Sequence, residues 1–446
     1  TANNGLFKQT TTLDTANNIQ SIQYFKGSST TAAAQFAYQY DGSANITKET
    51  TAKGDTSYTY DQNNQLTKEI LPDGTTNSYT YDAVGNRTQA TVNGKTYNYT
   101  YNDANQIVKK NGTAFTYDKD GNLTQDENDK YTYNALGQMT KVTTLSGTTV
   151  AEYTYDENGL RTKKTVGTKT NEYYYDQDNN LSMEVVKNNG TITQYKYYKW
   201  DSDGTTPLGM IIRQQDSTGQ WANKAYFFWT NHRGDVISIV DQSGNEVGSY
   251  TYDAYGNVLT ETGEIAKYNP IRYAGYYYDA ETKDYYLKAR YYNPANGTFL
   301  AMDPQPGQDS DPVSQNGYTY AKNNPVMLTD PNGDVSRKHL IYAIKYAIKY
   351  WLASYIGWDN ASWVMGSVWA SVGAGSVAYK IERARTFREA LLKLSRRAER
   401  KAILKVARRA GMRVALRVGI KAILPFSVVE DGYVLIRGFY LGYKRY

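Results

Sequence analysis

The sequence predicts a mainly β chain, an array of stacked hairpins, that ends in a small, mainly α domain. Three observations lead there. A short aromatic-Thr-Tyr phrase recurs along the first half of the chain. Tyrosine accounts for 45 of 446 residues, roughly three times the share in an average globular protein. The charge is split: residues 336–446 carry 22 Lys and Arg against 6 Asp and Glu, a balance of +16, which leaves 28 against 38, or −10, for residues 1–335. Tyr and Thr favour strands, whereas Asn, Asp and Gly favour turns. A charge asymmetry of this size separates two parts with different tasks.

The repeats come first, in residues 1–225. They read YQYDGSANITKET, YTYDQNNQLTKEI, YTYDAVGNRTQA, YTYNDANQIVKK, FTYDKDGNLTQD, YTYNALGQMTKV, YTYDENGLRTKK and YYYDQDNNLSME. Their second aromatic falls at Tyr40, Tyr60, Tyr81, Tyr101, Tyr117, Tyr133, Tyr155 and Tyr175, and a further unit returns at Tyr252. In Tyr-Thr-Tyr both rings lie on one face of a strand and the Thr on the other. Asp and Asn-Gly then turn the chain, and Leu-Thr-Lys starts the return strand. Each unit is a hairpin with an aromatic stripe. One hairpin cannot bury that stripe, but stacked hairpins can.

This Tyr-Asp phrase followed by Gly-Asn or its relatives resembles the YD-repeat of the Rhs polymorphic-toxin family, which includes wall-associated YD-repeat proteins of Gram-positive bacteria. The resemblance covers residues 20–335. It implies that the hairpins wind into a spiral sheet forming a hollow shell. It also implies that residues 226–335, with IRYAGYYYDAETKDYYLKARYYNPANGTFLAMDP and SQNGYTYAKNNPVMLTDPNG, are the repeat-associated core domain. In the family that domain plugs the shell and marks the boundary with a variable C-terminal toxin. A secreted or wall-associated protein of interbacterial competition, with a cognate immunity protein, is the corresponding expectation.

The family boundary often carries a self-cleavage motif, Pro-x4-Asp-Pro-x-Gly-Leu. Pro325, Asp330, Pro331 and Gly333 match it, and Asp334 stands in place of the Leu. The resemblance assigns Asp330 as one catalytic carboxylate, with Asp303 of the upstream Asp-Pro as the second. Two close carboxylates push their pKa values apart and can work as acid and base. The alternative is that both Asp-Pro pairs are turns with Asx caps. Arg290 either holds a carboxylate or stacks on the neighbouring Tyr rings.

Residues 336–446 read as helical and basic. Ile341, Ile344, Ile348 and Leu352 lie on one face of the first helix. Ala361 to Tyr379 is a run of 19 uncharged residues, which as a helix spans about 28 Å. Trp363, Gly366, Trp369, Gly373 and Gly375 in that run are the candidate membrane-inserting residues. Arg396, Arg397, Arg400, Arg408 and Arg409 crowd one side of the following amphipathic pattern, positioned for anionic lipid or phosphate. Three readings compete: a membrane-permeabilising toxin, a nuclease holding phosphates with its positive charge, or a helical domain whose charge fits it into an acidic shell.

The inventory of catalytic groups weighs on this choice. The chain has no Cys, so it has no disulfide, thiolate metal site or cysteine nucleophile. Its two His are His232 and His339, and the carboxylates after residue 336 are Asp359, Glu382, Glu389, Glu399, Glu430 and Asp431. Glu399 and Lys401 have the spacing of a metal-nuclease pair but fall on a helical pattern rather than a strand. The sequence calls for no metal and no cofactor. It favours the membrane reading, with a ribonuclease or deoxyribonuclease as the alternative. A surface protein binding carbohydrate through exposed Tyr faces is a third class. The expected partners are the chain's own C-terminal domain held inside the shell, an immunity protein, and a target membrane or nucleic acid. Thr1, without Met or a signal-like segment, reads as an internal or processed start, with more shell ahead of it.

Overall fold

The computed structural model describes residues 6–201, 204–304 and 312–333, and the backbone of residues 2–3. Two sheets are built from consecutive strands, each antiparallel to its neighbour in sequence. One has 12 strands, from Ala2–Asn3 to Thr113–Ala114, and the other has 14, from Thr116–Tyr117 to Val258–Thr262. They meet at Phe115, whose N–H donates to Val108 O at 3.0 Å. The second sheet runs through strand Trp221–Thr230 without a break and ends at Thr262.

One unit shows why the repeat folds this way. In strand Gly54–Tyr60, Tyr58 is buried and Thr59 exposed. The register slips between Thr59 and Tyr60, which bulges the strand. Asp61 Oδ1 then accepts the N–H groups of Asn63 and Gln65, both at 2.9 Å, while Asn64 takes a left-handed φ of 61°. Leu66 opens the return strand and is fully buried.

The second tyrosine joins one unit to the next. The Tyr60 hydroxyl donates to Ile46 O, the first residue of the preceding return strand. The same latch recurs from Tyr40 to Ile19, Tyr81 to Leu66, Tyr101 to Arg87, Tyr155 to Met139, Tyr175 to Arg161 and Tyr252 to Val236, at 2.6–3.0 Å. Trp200 makes the equivalent bond to Leu181 O through its indole N–H. Where the latch forms, the second tyrosine buries its ring and satisfies its hydroxyl on a neighbour's backbone, while the Tyr79, Tyr133 and Tyr153 hydroxyls are buried without such a bond.

The array winds back on itself. The Tyr24 hydroxyl accepts the Thr230 N–H and donates to its carbonyl, 206 residues along the chain. Phe7 packs on Phe227 with ring centroids 4.8 Å apart, and Tyr24 stacks on Trp229 at 5.6 Å. These contacts set the length of one spiral turn.

After Thr262 the fold changes. A short helix, Glu264–Tyr268, leads into a four-stranded sheet of Tyr277–Asp279, Asp284–Tyr286, Tyr291–Asn293 and Thr298–Phe299. Its own core is a tyrosine cluster, in which Tyr292 and Tyr320 stack 4.1 Å apart. This plug docks on the inner ends of the hairpins. Asn324 donates to Asn45, Asn323 to Gln65 and to Gly85 O, Asn316 to Asn86, Gln106 to the Tyr318 hydroxyl, and Tyr318 to Gly121 O. Residues 316–324 therefore cross five successive turns.

Two arginines anchor the plug from the wall. Arg87 and Arg161 occupy the repeat position that Ile46, Leu66 and Met139 fill elsewhere, and so point inward. Arg87 donates to Ala295 O at 2.8 Å and lies over Tyr79, Tyr99 and Tyr255. Arg161 meets Asp279 at 2.5 Å, inside a cage of Tyr153, Tyr173, Tyr277, Tyr286 and Tyr291. Lys164 bonds the other Asp279 oxygen at 2.7 Å. Burial alone raises the Asp279 carboxyl, but Arg161 and Lys164 outweigh it and hold the group below its usual range.

Two predictions follow from these charges. Arg161→Met leaves Asp279 buried with one cation fewer and is expected to destabilise the shell by about 3–5 kcal/mol in denaturant titration. The double variant with Asp279→Asn is expected to lose less than the sum of the two single changes. The second concerns pH. Burial pushes Glu49 up to about 7 and Glu69 up to about 8, from an ordinary 4.5. The folded state therefore binds these protons more tightly than the unfolded chain. Their contribution is full below the ordinary value and is lost as pH rises through 7 to 8. The melting temperature should fall across that window, and Glu49→Gln with Glu69→Gln should flatten the fall.

Candidate functional site

The strands of the plug bring the Asp-Pro segments together around one arginine. Arg290 immediately precedes the third plug strand, just after the tight turn at Lys288, which has a left-handed φ of 67°. Its Nη2 lies 2.7 Å from Asp303 Oδ2 and 3.6 Å from Asp330 Oδ2. Its Nη1 donates to Gly317 O at 2.9 Å, and its Nε donates to Gly333 O. The guanidinium also covers the Phe299 ring, 3.6 Å from its centroid. Arg290 thus does both things its sequence context suggested, with a phenylalanine rather than a tyrosine as the ring.

Asp330 is buried and Asp303 about one-fifth exposed. The Asp330 N–H donates to the Tyr276 hydroxyl at 2.9 Å, and Asp330 Oδ1 accepts the Gly333 N–H at 3.0 Å. Burial raises the Tyr276 hydroxyl well above its ordinary value, and the Asp330 charge adds to this. Pro325 is buried, and its carbonyl accepts from Arg233 Nη1 at 3.2 Å and from the Tyr273 hydroxyl at 3.3 Å. Pro331 lies partly exposed at the turn. Gly333 has φ +74°, and a Cβ there would stand 3.0 Å from Leu287 O. Only glycine fits that close backbone approach without strain.

The chain at Gly333 is therefore gripped from three sides: by Arg290 on its carbonyl, by Asp330 on its N–H and by the Leu287 backbone. The arrangement holds the last described peptide in one conformation beside two carboxylates. Lys288 and Tyr276, which also touch the seam, escaped the sequence reading. Their signals are a left-handed lysine in a turn and one tyrosine among many, and neither stands out in composition. Asp334, Trp363, Gly366, Trp369, Gly373, Gly375, Arg396, Arg397, Arg400, Arg408 and Arg409 lie outside the described residues. Among the described residues no helix is long and apolar enough to cross a membrane, and no cluster of His, Asp and Glu could hold a metal.

Arg290→Gln is expected to remove the cation that both carboxylates face and to release the Gly333 carbonyl from the guanidinium. It should cost about 3 kcal/mol or more of local stability. Limited proteolysis should cut between Thr329 and Gly333 faster than in the parent, while Arg290→Lys, which restores charge without the fork, should recover only part of the protection.

The family Teneurin YD-shell matches residues 1–326. The chain is 37% identical over 339 residues to the tRNA nuclease WapA of Bacillus subtilis (strain 168), a match covering 72% of this chain and 14% of that protein. It is 43% identical over 230 residues to the tRNA(Glu)-specific nuclease WapA of Bacillus subtilis subsp. natto (strain BEST195), covering 51% of this chain and 9% of that protein. The chain thus spans only a small part of the length of these relatives. The TcdB2-TccC3-Cdc42 crystal structure aligns with a TM-score of 0.61 at 20% identity, over 74% of this chain and 18% of that one, which shows a shared fold. From its repeats, its wound sheets and these matches, the chain belongs to the Teneurin YD-shell family.

Proposed function

We propose that residues 1–333 are the container of a toxin and that residues 336–446 are its payload, a basic domain acting on nucleic acid. The observation that carries this reading is the match to WapA proteins that are tRNA nucleases. The +16 balance of the payload supplies phosphate affinity, and the −10 balance of the preceding chain complements it over short range. The three WapA names assign a general tRNA nuclease, one specific for tRNA3(Ser) and one specific for tRNA(Glu). Similar shells thus go with different targets, so the RNA class is proposed and the individual RNA is not. With His339 as the single histidine of the payload, the acid–base groups would come from its six carboxylates and from Lys, Arg and Tyr.

A second reading keeps the payload membrane-active. It is favoured by the uncharged run from Ala361 to Tyr379 and its small-residue faces. The seam supports a further proposal, that the chain cuts itself after Gly333. Asp330 would act on the held peptide with Asp303 as the second carboxylate, after one of them takes a proton. Secretion or wall attachment, interbacterial competition and a cognate immunity protein belong to the same proposal.

Expression of residues 337–446 inside bacteria separates the two payload readings. Loss of RNA with the membrane potential intact is the expected result, and binding to RNA should weaken steeply with salt. Collapse of the potential with intact RNA would overturn the nuclease reading. For self-cleavage, intact-mass analysis of the purified full chain should reveal a fragment running from Asp334 to Tyr446. Asp330→Asn should abolish it, and a parent chain that stays whole refutes the cut.

A further inference from the structure

We propose that Asn332-Gly333 is a built site of intramolecular succinimide formation, a slow covalent modification at the seam that is independent of what the payload does. Three groups converge on this pair. The Gly333 N–H, the nucleophile once deprotonated, donates to Asp330 Oδ1 at 3.0 Å and, less closely, to the Asp330 backbone carbonyl at 3.3 Å. Lys288 Nζ donates to Asn332 Oδ1 at 3.1 Å, on the amide carbonyl that would be attacked. The Ala289 N–H holds the Asn332 backbone carbonyl at 3.0 Å, fixing the residue between base and cation. Asn332 itself is partly exposed, so water reaches it.

The chemistry closes on these atoms. Gly333 N attacks Asn332 Cγ as its proton passes to Asp330, and the Lys288 ammonium stabilises the charge that develops on Oδ1. The bond from Cγ to Nδ2 then breaks, and Nδ2 leaves as ammonia with the proton from Asp330. Water next opens one of the two imide carbonyls. The net change is amide plus water to acid plus ammonia, giving aspartate or isoaspartate at position 332, with no redox step and no cofactor.

Among the described residues, Asn158-Gly159 and Asn296-Gly297 lack this combination. At Asn158-Gly159 the glycine N–H donates to Asp156 O. At Asn296-Gly297 a lysine, Lys110, does reach the Asn side chain at 2.8 Å, but the glycine N–H donates to Asn293 O. A carboxylate on the nucleophile and a cation on the electrophile meet at Asn332. The consequence is mechanical. Isoaspartate would add one backbone carbon next to Gly333, whose seat against Leu287 O has no spare room. The grip of Arg290 on the Gly333 carbonyl would loosen with age.

The test is peptide mass spectrometry of the purified full chain during incubation at mildly alkaline pH. The Asn332 peptide is read for its one-dalton gain and for isoaspartate by methyltransferase labelling. Asn93-Gly94 and Asn111-Gly112, in exposed turns, serve as references on the same molecule. Lys288→Met and Asp330→Asn should each slow conversion at Asn332 by about tenfold or more, a modest share of what a positioned acid–base group contributes, and leave the reference sites unchanged. Lys288 is not among the groups proposed for chain cleavage, so its variant separates the two reactions. Conversion at Asn332 that is absent, or equally fast in the parent and the Lys288→Met chain, overturns the proposal.

Discussion

A hairpin with tyrosines on one face cannot bury them by itself, and the rest of this structure follows from that constraint. The units pair in sequence order into two long sheets, and the stripes are covered from across the fold, Tyr24 by Trp229, Tyr79 by Tyr255, Tyr153 by Tyr291 and Tyr173 by Tyr277. In most units the second tyrosine sits at a bulge and spends its hydroxyl on the preceding return strand, as Tyr60 does on Ile46, whereas the buried Tyr133 hydroxyl makes no such bond. The bulges twist and bend the wall until Tyr24 meets Thr230 and a spiral turn is complete. The inner surface still carries unsatisfied rings and charges, and the plug covers them.

The plug is attached by polar contacts rather than by apolar packing alone. Residues 316–324 cross the hairpin turns on side-chain amides, one turn after another. Arg87 and Arg161 reach through the wall to Ala295 and Asp279. A shifted register that separated Arg161 from Asp279 would leave an uncompensated buried charge and so be penalised. Such pairs suit a wall made of near-identical repeats, where a slip by one unit would otherwise conserve most contacts. The same plug carries Arg290, which holds the Gly333 carbonyl.

Much of this was legible in the sequence. The repeat spacing gave the hairpins, their order and the buried first tyrosine. The inward position of Arg87 and Arg161 follows from the repeat register, since both stand where Leu66 and Ile46 stand, yet an isolated reading of an arginine places it outside. The plug was legible only through family resemblance, because its strands of two or three residues carry no periodicity. Asp303 and Asp330 stood out through the family motif, but the arginine that both face and the Lys288–Asn332 contact depend on turns with left-handed residues that no propensity marks. The change of weight from membrane to nucleic acid came from relatives, not from spacing.

The central claim is that docking of the plug on the hairpin turns and the geometry of the seam form one mechanical system. Amide hydrogen exchange resolved to single residues tests it most directly, in a chain carrying Asn316→Ala, Asn323→Ala and Asn324→Ala. None of these side chains touches Gly333. The account predicts faster exchange at the Gly333 and Ala289 amides together with the turn residues that lose their partners. Unchanged protection at Gly333, with exchange raised only at the turns, would contradict it.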